Sequence, residues 1–167
     1  MCENEDSLLG GKVRLLQKQK GYRTAIDPVL LAAAVPAKAG EMVLDLGCGV
    51  GAVSLCLHAR VSGLTITGLD VQETLVDLAR QNSRLNNCEN FTHFVYGDLL
   101  KPQKGLPEAK FDHVMANPPY FTPESGNLSQ DTAKAIANVE SEAGLADWIR
   151  AACRALKVRG RVTFIHR

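Results

Sequence analysis

From Glu41 onward, short apolar runs alternate with helical segments, and that order strongly restricts the folds open to the chain. "EMVLDLG", starting at Glu41, is an apolar strand that runs into glycine, and "AVSLCLHAR" follows as a helix. "LTITGLD" is a second strand, ending at Asp70. "QETLVDLARQNSRLNN" is helical, with Leu75, Leu78, Ala79 and Leu85 on one face. "FTHFVYGD" is a third strand ending at Asp98, and "FDHVMA" is a fourth, followed by Asn117. "GLADWIRAACRAL" carries Leu145, Trp148, Ile149, Ala152 and Leu156 at helical spacing, which marks Trp148 as a core residue. "GRVTFIHR" is a fifth strand. Upstream, "AIDPVLLAAAV" reads as a helix with Asp27 capping its first amides, Pro28 at the first helical position and Pro36 beyond its end. Strands alternating with helices predict an α/β, doubly wound, mainly parallel sheet with helices on both faces.

In such sheets ligands sit beyond the carboxyl ends of the strands, near the point where strand order reverses. Asp45 and a glycine turn close the first strand, and Asp70, Asp98 and Asn117 close the next three. Polar residues converging at successive strand ends predict a site there. In "LDLGCGVGA", Gly47, Gly49 and Gly51 let the backbone turn sharply and approach a ligand. The same letters also satisfy a dinucleotide fingerprint, with Asp70 spaced to bind a ribose, so a nicotinamide-dependent oxidoreductase is a rival. A carboxylate at Asp45 is unhelpful beside a pyrophosphate and helpful beside an ammonium group. S-adenosyl-L-methionine carries an ammonium, a ribose and an adenine. Asp70 can accept from both ribose hydroxyls and Asp98 from the adenine amino group.

The loop Asn117-Pro118-Pro119-Tyr120 favours the same cofactor. An amino group on an aromatic ring or carbonyl is a poor nucleophile because its lone pair is delocalised. The Asn117 side-chain oxygen and the Pro118 carbonyl can each take one of its hydrogens, so that the nitrogen pyramidalises. The two prolines fix the direction of that carbonyl, and Tyr120 offers a ring face for a planar base or amide. Positioning and electrostatics then carry the reaction without a metal.

The composition excludes several alternatives. The chain has 167 residues, which suits one domain, and a formal net charge of +1, so no global field points to nucleic acid or membrane. A local basic segment does exist: Lys12, Arg14, Lys18, Lys20 and Arg23, with Tyr22 interleaved, suit either solvent or RNA. The five cysteines form no C-x-x-C pair and the four histidines are scattered, so neither a disulfide framework nor a metal site is expected. Reduced thiols and the absence of a signal-like start fit a cytoplasmic protein, and no apolar run approaches membrane-spanning length.

The order "DLGCGVG", Asp70, "GD", "NPPY" resembles the class I S-adenosylmethionine-dependent methyltransferases that modify exocyclic or amide nitrogens. "GYRTAIDPVLLAA" and the ending "ADWIRAACRALKVRGRVTFIHR" are similar to the small bacterial tRNA adenine-N6 methyltransferases. This resemblance implies a Rossmann-like methyltransferase sheet and a tRNA partner. It implies cofactor contacts from Tyr22, Arg23, Thr24, Asp27, Asp45, Gly47, Cys48, Gly49, Gly51, Asp70, Val71, Asp98, Leu99 and Asn117. It places catalysis at Asn117, Pro118, Pro119 and Tyr120, and casts residues 1–36 as a segment and helix covering the cofactor. Thr24 stands where the family usually has Phe. The family fold continues past the fifth strand, so a fragment or a homodimer covering that edge is expected. Release-factor glutamine, ribosomal guanine-N2 and DNA adenine are alternative substrates, and a non-catalytic cofactor-binding module is a further reading. The polar loop after Tyr120, with Lys134, suits a lid or a plain connection.

Overall fold

The computed structural model describes residues 3–18, 26–101, 108–118 and 143–166. An N-terminal hairpin joins β1 (Glu3–Leu8) to β2 (Val13–Lys18) through a 3-10 turn at Leu9–Gly11. Then come α1 (Asp27–Ala34), β3 (Met42–Leu46), α2 (Ala52–Arg60), β4 (Thr65–Asp70), α3 (Glu73–Leu85) and β5 (Thr92–Tyr96). They are followed by β6 (Phe111–Ala116), α4 (Leu145–Ala155) and β7 (Leu156–Phe164). The main sheet has five strands in the order β5-β4-β3-β6-β7, every pair parallel, as the α/β reading expects.

Alternation along the strands separates two cores. Val43 and Ile66 face α1, α2 and the hairpin, joining Leu31, Val35, Leu55 and Leu57. Leu44, Leu46 and Val114 face the other way, towards Trp148, Ala151, Ala152 and Ala155 of α4. Central parallel strands covered on both faces become apolar throughout, which is why Asp45 stands out on β3.

Several expectations need correction. In the basic N-terminal segment the solvent reading holds for Lys12 and Arg14, while Lys20 and Arg23 lie outside the described residues. Val13, Leu15 and Gln17 of β2 are buried, while Lys12 and Arg14 face solvent, Arg14 on Glu5 at 2.7 Å. Asp27 is not a side-chain cap. Ile26 is the N-cap of α1 and Asp27 lies in the first turn, where its charge still opposes the helix dipole. The buried face of α3 is Val76, Leu78, Ala79, Asn82 and Ser83, with Leu75 and Leu85 half-buried at its margin. On α4 the alanines pack closest, and Leu145 and Ile149 remain 44% exposed. Trp148 is core, as expected. The last strand begins at Leu156, earlier than expected. Leu156 pairs with Phe111 and Arg161 with His113, so residues 157–160 loop out opposite Asp112. Lys157 Nζ holds that aspartate at 2.7 Å.

Candidate active site

From β3 the chain steps outward to β4 and β5, then returns to the other side of β3 as β6. The order therefore reverses between β3 and β6, and a crevice opens beyond their carboxyl ends. Leu46 pairs with Ala116, so the next residues on the two strands are Gly47 and Asn117. The glycine turn and the start of the Asn-Pro loop flank the crevice. Asn117 is half-buried and Pro118 buried.

The glycine loop is held from several sides. Gly47 and Cys48 N–H groups both donate to Leu69 O, at 2.8 and 3.0 Å, and Gly51 N–H donates to Cys48 O at 2.8 Å. Gly49 N–H donates to Asp70 Oδ2 at 2.8 Å, while Gln72 N–H donates to Asp70 Oδ1 at 2.9 Å. Each Asp70 oxygen thus takes a backbone donor and keeps a further lone-pair direction. Gly47 has φ +68°, and a Cβ there would lie 2.5 Å from Trp148 Cη2. At Gly49, with φ +54°, a Cβ would meet no described atom within 4 Å. The first glycine is required by packing against α4, whereas the second leaves backbone bare over open space.

Asp45 is 1% exposed and accepts the Ser54 hydroxyl at 2.7 Å. Burial pushes its pKa up to about 7; the Ser54 hydrogen bond opposes that rise and the charge of Asp70 adds to it. Burial also raises Asp70, against backbone hydrogen bonds from Gln72, Gly49 and Val71. The Cys48 thiol is raised well above its ordinary value by burial and by both carboxylates, so it is no ready nucleophile. Among the described residues no basic side chain contributes to the Asp45 or Asp70 shifts. Among the described residues the loop is therefore bordered by two buried carboxylates, with the Arg80 charge felt at Cys48.

Asp98 closes a turn after β5. Its Oδ1 accepts Leu100 N–H at 2.9 Å, and Lys101 Nζ lies 3.2 Å from Oδ2. The backbone beside it is close to the site, because Gly97 N–H donates to Asp70 O at 2.9 Å. Val71 follows Asp70 and is half-buried; Leu99 packs against the α4-side core. Asp27 opens α1, and among the described residues no hydrogen bond joins it to the glycine loop. Tyr22, Arg23, Thr24, Pro119, Tyr120 and the loop with Lys134 lie outside the described residues. Ser54 and Asn82 were not anticipated. A polar residue inside a helical pattern carries no signal until the helix's buried face is known.

The model of the methyltransferase small domain family matches residues 23–165. The chain belongs to that family. As a methyltransferase small domain, it is 30% identical over 119 residues to the tRNA1(Val) (adenine(37)-N6)-methyltransferase of Vibrio campbellii, covering 71% of this chain and 48% of the relative. It is also 32% identical over 112 residues to the release factor glutamine methyltransferase of Aliivibrio fischeri, covering 65% and 38%. Among solved structures it matches a predicted O-methyltransferase from Agrobacterium tumefaciens with TM-score 0.62 and 25% identity, over 82% of this chain and 59% of that one. The chain spans about half the length of the curated relatives it matches. Methyltransferase small domain membership implies S-adenosyl-L-methionine as cofactor and removes the nicotinamide rival. The cleft fits it: two buried carboxylates suit its ammonium and ribose, and among the described residues nothing crowds the Gly49 backbone. No helix among the described residues is long and apolar enough to cross a membrane.

Proposed function

We propose that this domain transfers a methyl group from S-adenosyl-L-methionine to the N6 amino group of an adenine in tRNA. The observation that carries the reading is the Leu46–Ala116 pair, which sets Asn117 beside the first glycine of the cofactor loop. Relatives acting on tRNA adenine, and the tRNA-enzyme-like segment "GYRTAIDPVLLAA" that leads into and through α1, support the substrate.

When bound, the cofactor supplies an electrophilic methyl on a sulfonium. The rest falls to the chain. Asp70 accepts the ribose hydroxyls with the lone pairs its backbone donors leave over. Asp45 answers the ammonium at the floor of the cleft. Asp98 and Leu99 border the adenine, with Val71 on the ribose side. Asn117 Oδ1 and the Pro118 carbonyl each hold one hydrogen of the substrate amino group, directing the nitrogen lone pair at the methyl. Pro119 stiffens the loop and Tyr120 stacks on the base; Tyr22, Arg23, Thr24 and Asp27 cover the methionine end. The roles of the residues outside the described ones rest on their sequence pattern alone.

A second substrate has its own support, because the release factor glutamine methyltransferase relative matches at similar identity. An amide nitrogen meets the same two acceptors as an exocyclic amine. One experiment separates the two readings. Labelled S-adenosyl-L-methionine is supplied with unmodified tRNA and, separately, with release factor. Label in N6-methyladenosine that disappears in Asn117→Ala, while S-adenosyl-L-homocysteine still binds, is the expected result. Label only in glutamine would replace the substrate, and label in neither would remove both.

A further inference from the structure

Asn82, on α3, is 0% exposed and uses its whole carboxamide. Oδ1 accepts Leu16 N–H of β2 at 2.7 Å. Nδ2 donates to Leu16 O at 3.0 Å and to Val50 O, inside the glycine loop, at 2.9 Å. The orientation of the amide is fixed by its neighbours. Turned over, it would set NH2 against N–H and oxygen against two carbonyls. No other side chain of this size offers one acceptor and two donors in a plane.

The Val50–Gly51 peptide is the unit at stake. Its N–H is held by Cys48 O at 2.8 Å and its carbonyl by Asn82. The plane turns about ψ of Val50 and φ of Gly51, and Gly51, at φ +84°, makes that reorientation easy unless both ends are tied. The adjacent Gly49 N–H is the donor to Asp70. Asn86, the C-cap of α3, grips Arg14 N–H and O in the same manner at 2.9 and 2.7 Å. Both asparagines pin β2, and Asn82 also reaches the loop.

We infer that Asn82 is a positioning residue for the cofactor, holding the Val50–Gly51 peptide so that the glycine loop is set for binding. The inference rests on the cofactor reading above. Asn82→Asp removes both donors and turns a carboxylate oxygen towards Val50 O. Binding of S-adenosyl-L-homocysteine should weaken at least about tenfold, and amide exchange at Gly51 should accelerate selectively over the amides of β3 and β4. Asn86→Ala frees Arg14 and loses the bond to Asn82 O at 2.7 Å but leaves the Asn82 carboxamide and its contact with the glycine loop in place, and should leave affinity within about twofold. Should the buried carboxylate prevent folding, Asn82→Ala carries the same test without a charge. Wild-type affinity and slow Gly51 exchange in the Asn82 variants would overturn the inference, as would equal losses in Asn86→Ala. If the wild-type chain binds no S-adenosyl-L-homocysteine, the cofactor reading falls, while Gly51 exchange still decides what Asn82 holds.

Discussion

Asp45 gives the sharpest test of the site, because its stability effect and its binding effect have opposite signs. Its pKa of about 7 in the fold stands against 3.8 for the free side chain. The folded state therefore keeps its proton to higher pH than the unfolded state. The contribution is fully present below the unfolded value and is lost as pH rises through about 7. Three units correspond to about 4 kcal/mol, lost progressively between roughly pH 4 and pH 7. In Asp45→Asn the titrating group is gone while an oxygen remains to accept the Ser54 hydroxyl. The extra amide donor adds a constant offset of about 1–3 kcal/mol but no pH dependence. The stability difference between variant and wild type should thus drift by about 4 kcal/mol in favour of the variant from pH 4 to pH 8. Other titrating groups are present in both proteins, so the subtraction isolates this residue to first order. Urea unfolding at unit pH intervals without ligand measures the drift. Parallel curves would refute the burial argument. Binding should move the other way: wild-type affinity for S-adenosyl-L-homocysteine rises from pH 5.5 to 7.5 as Asp45 ionises, and the variant loses both that rise and its affinity at pH 7.5.

Ser54→Ala removes the hydroxyl that favours the ionised carboxylate; a hydrogen bond to charge of about 1.5 kcal/mol moves the rise in binding roughly one pH unit higher, readable by calorimetry. Gly47→Ala drives a Cβ into Trp148 at a positive φ and should destabilise the fold by roughly 2–4 kcal/mol in urea unfolding. Gly49→Ala meets no described atom, so its stability loss should stay near about 1 kcal/mol while cofactor affinity falls at least about tenfold, because the methyl occupies ligand space.

The main sheet was legible because each central strand is a short apolar run ended by glycine, aspartate or asparagine. Asp70, Gly47, Gly49 and Asn117 could be placed at strand ends on that basis, and the register brings those ends together. The hairpin was not legible. "ENEDSL" shows no apolar alternation, and its partner β2 gains its outer hydrogen bonds from Asn82 and Asn86, far along the chain. On α4 side-chain size does not mark the inner face: Trp148 and Ala152 of the expected stripe are buried, while Leu145 and Ile149 are not. The helix buries Trp148, Ala151, Ala152 and Ala155, and Leu145 and Ile149 lie outside that face. Asp98 shows the ambiguity of Gly-Asp: its carboxylate accepts the amide two residues on, as such turns do.

The cleft also explains why one glycine pattern can serve two cofactors and here suits only one. A pyrophosphate bound at this loop would face Asp45 and Asp70, both taken out of water and without a basic neighbour contributing to their shifts. Two like charges a few ångströms apart in a poorly screened site repel by several kcal/mol. A cationic ligand reverses the sign of that interaction. It offsets the burial, and the smaller repulsion from Asp70, that raise Asp45, and it draws Asp45 to its ionised form at lower pH. The strain of burying two carboxylates without ligand becomes affinity for a ligand that carries positive charge and hydroxyl donors. Affinity should therefore respond to charge at Asp45 more strongly than to any single backbone contact in the loop, and comparing S-adenosyl-L-homocysteine with its deaminated analogue tests this directly. Removing the amino group should weaken binding to the wild type severalfold and leave binding to Asp45→Asn nearly unchanged.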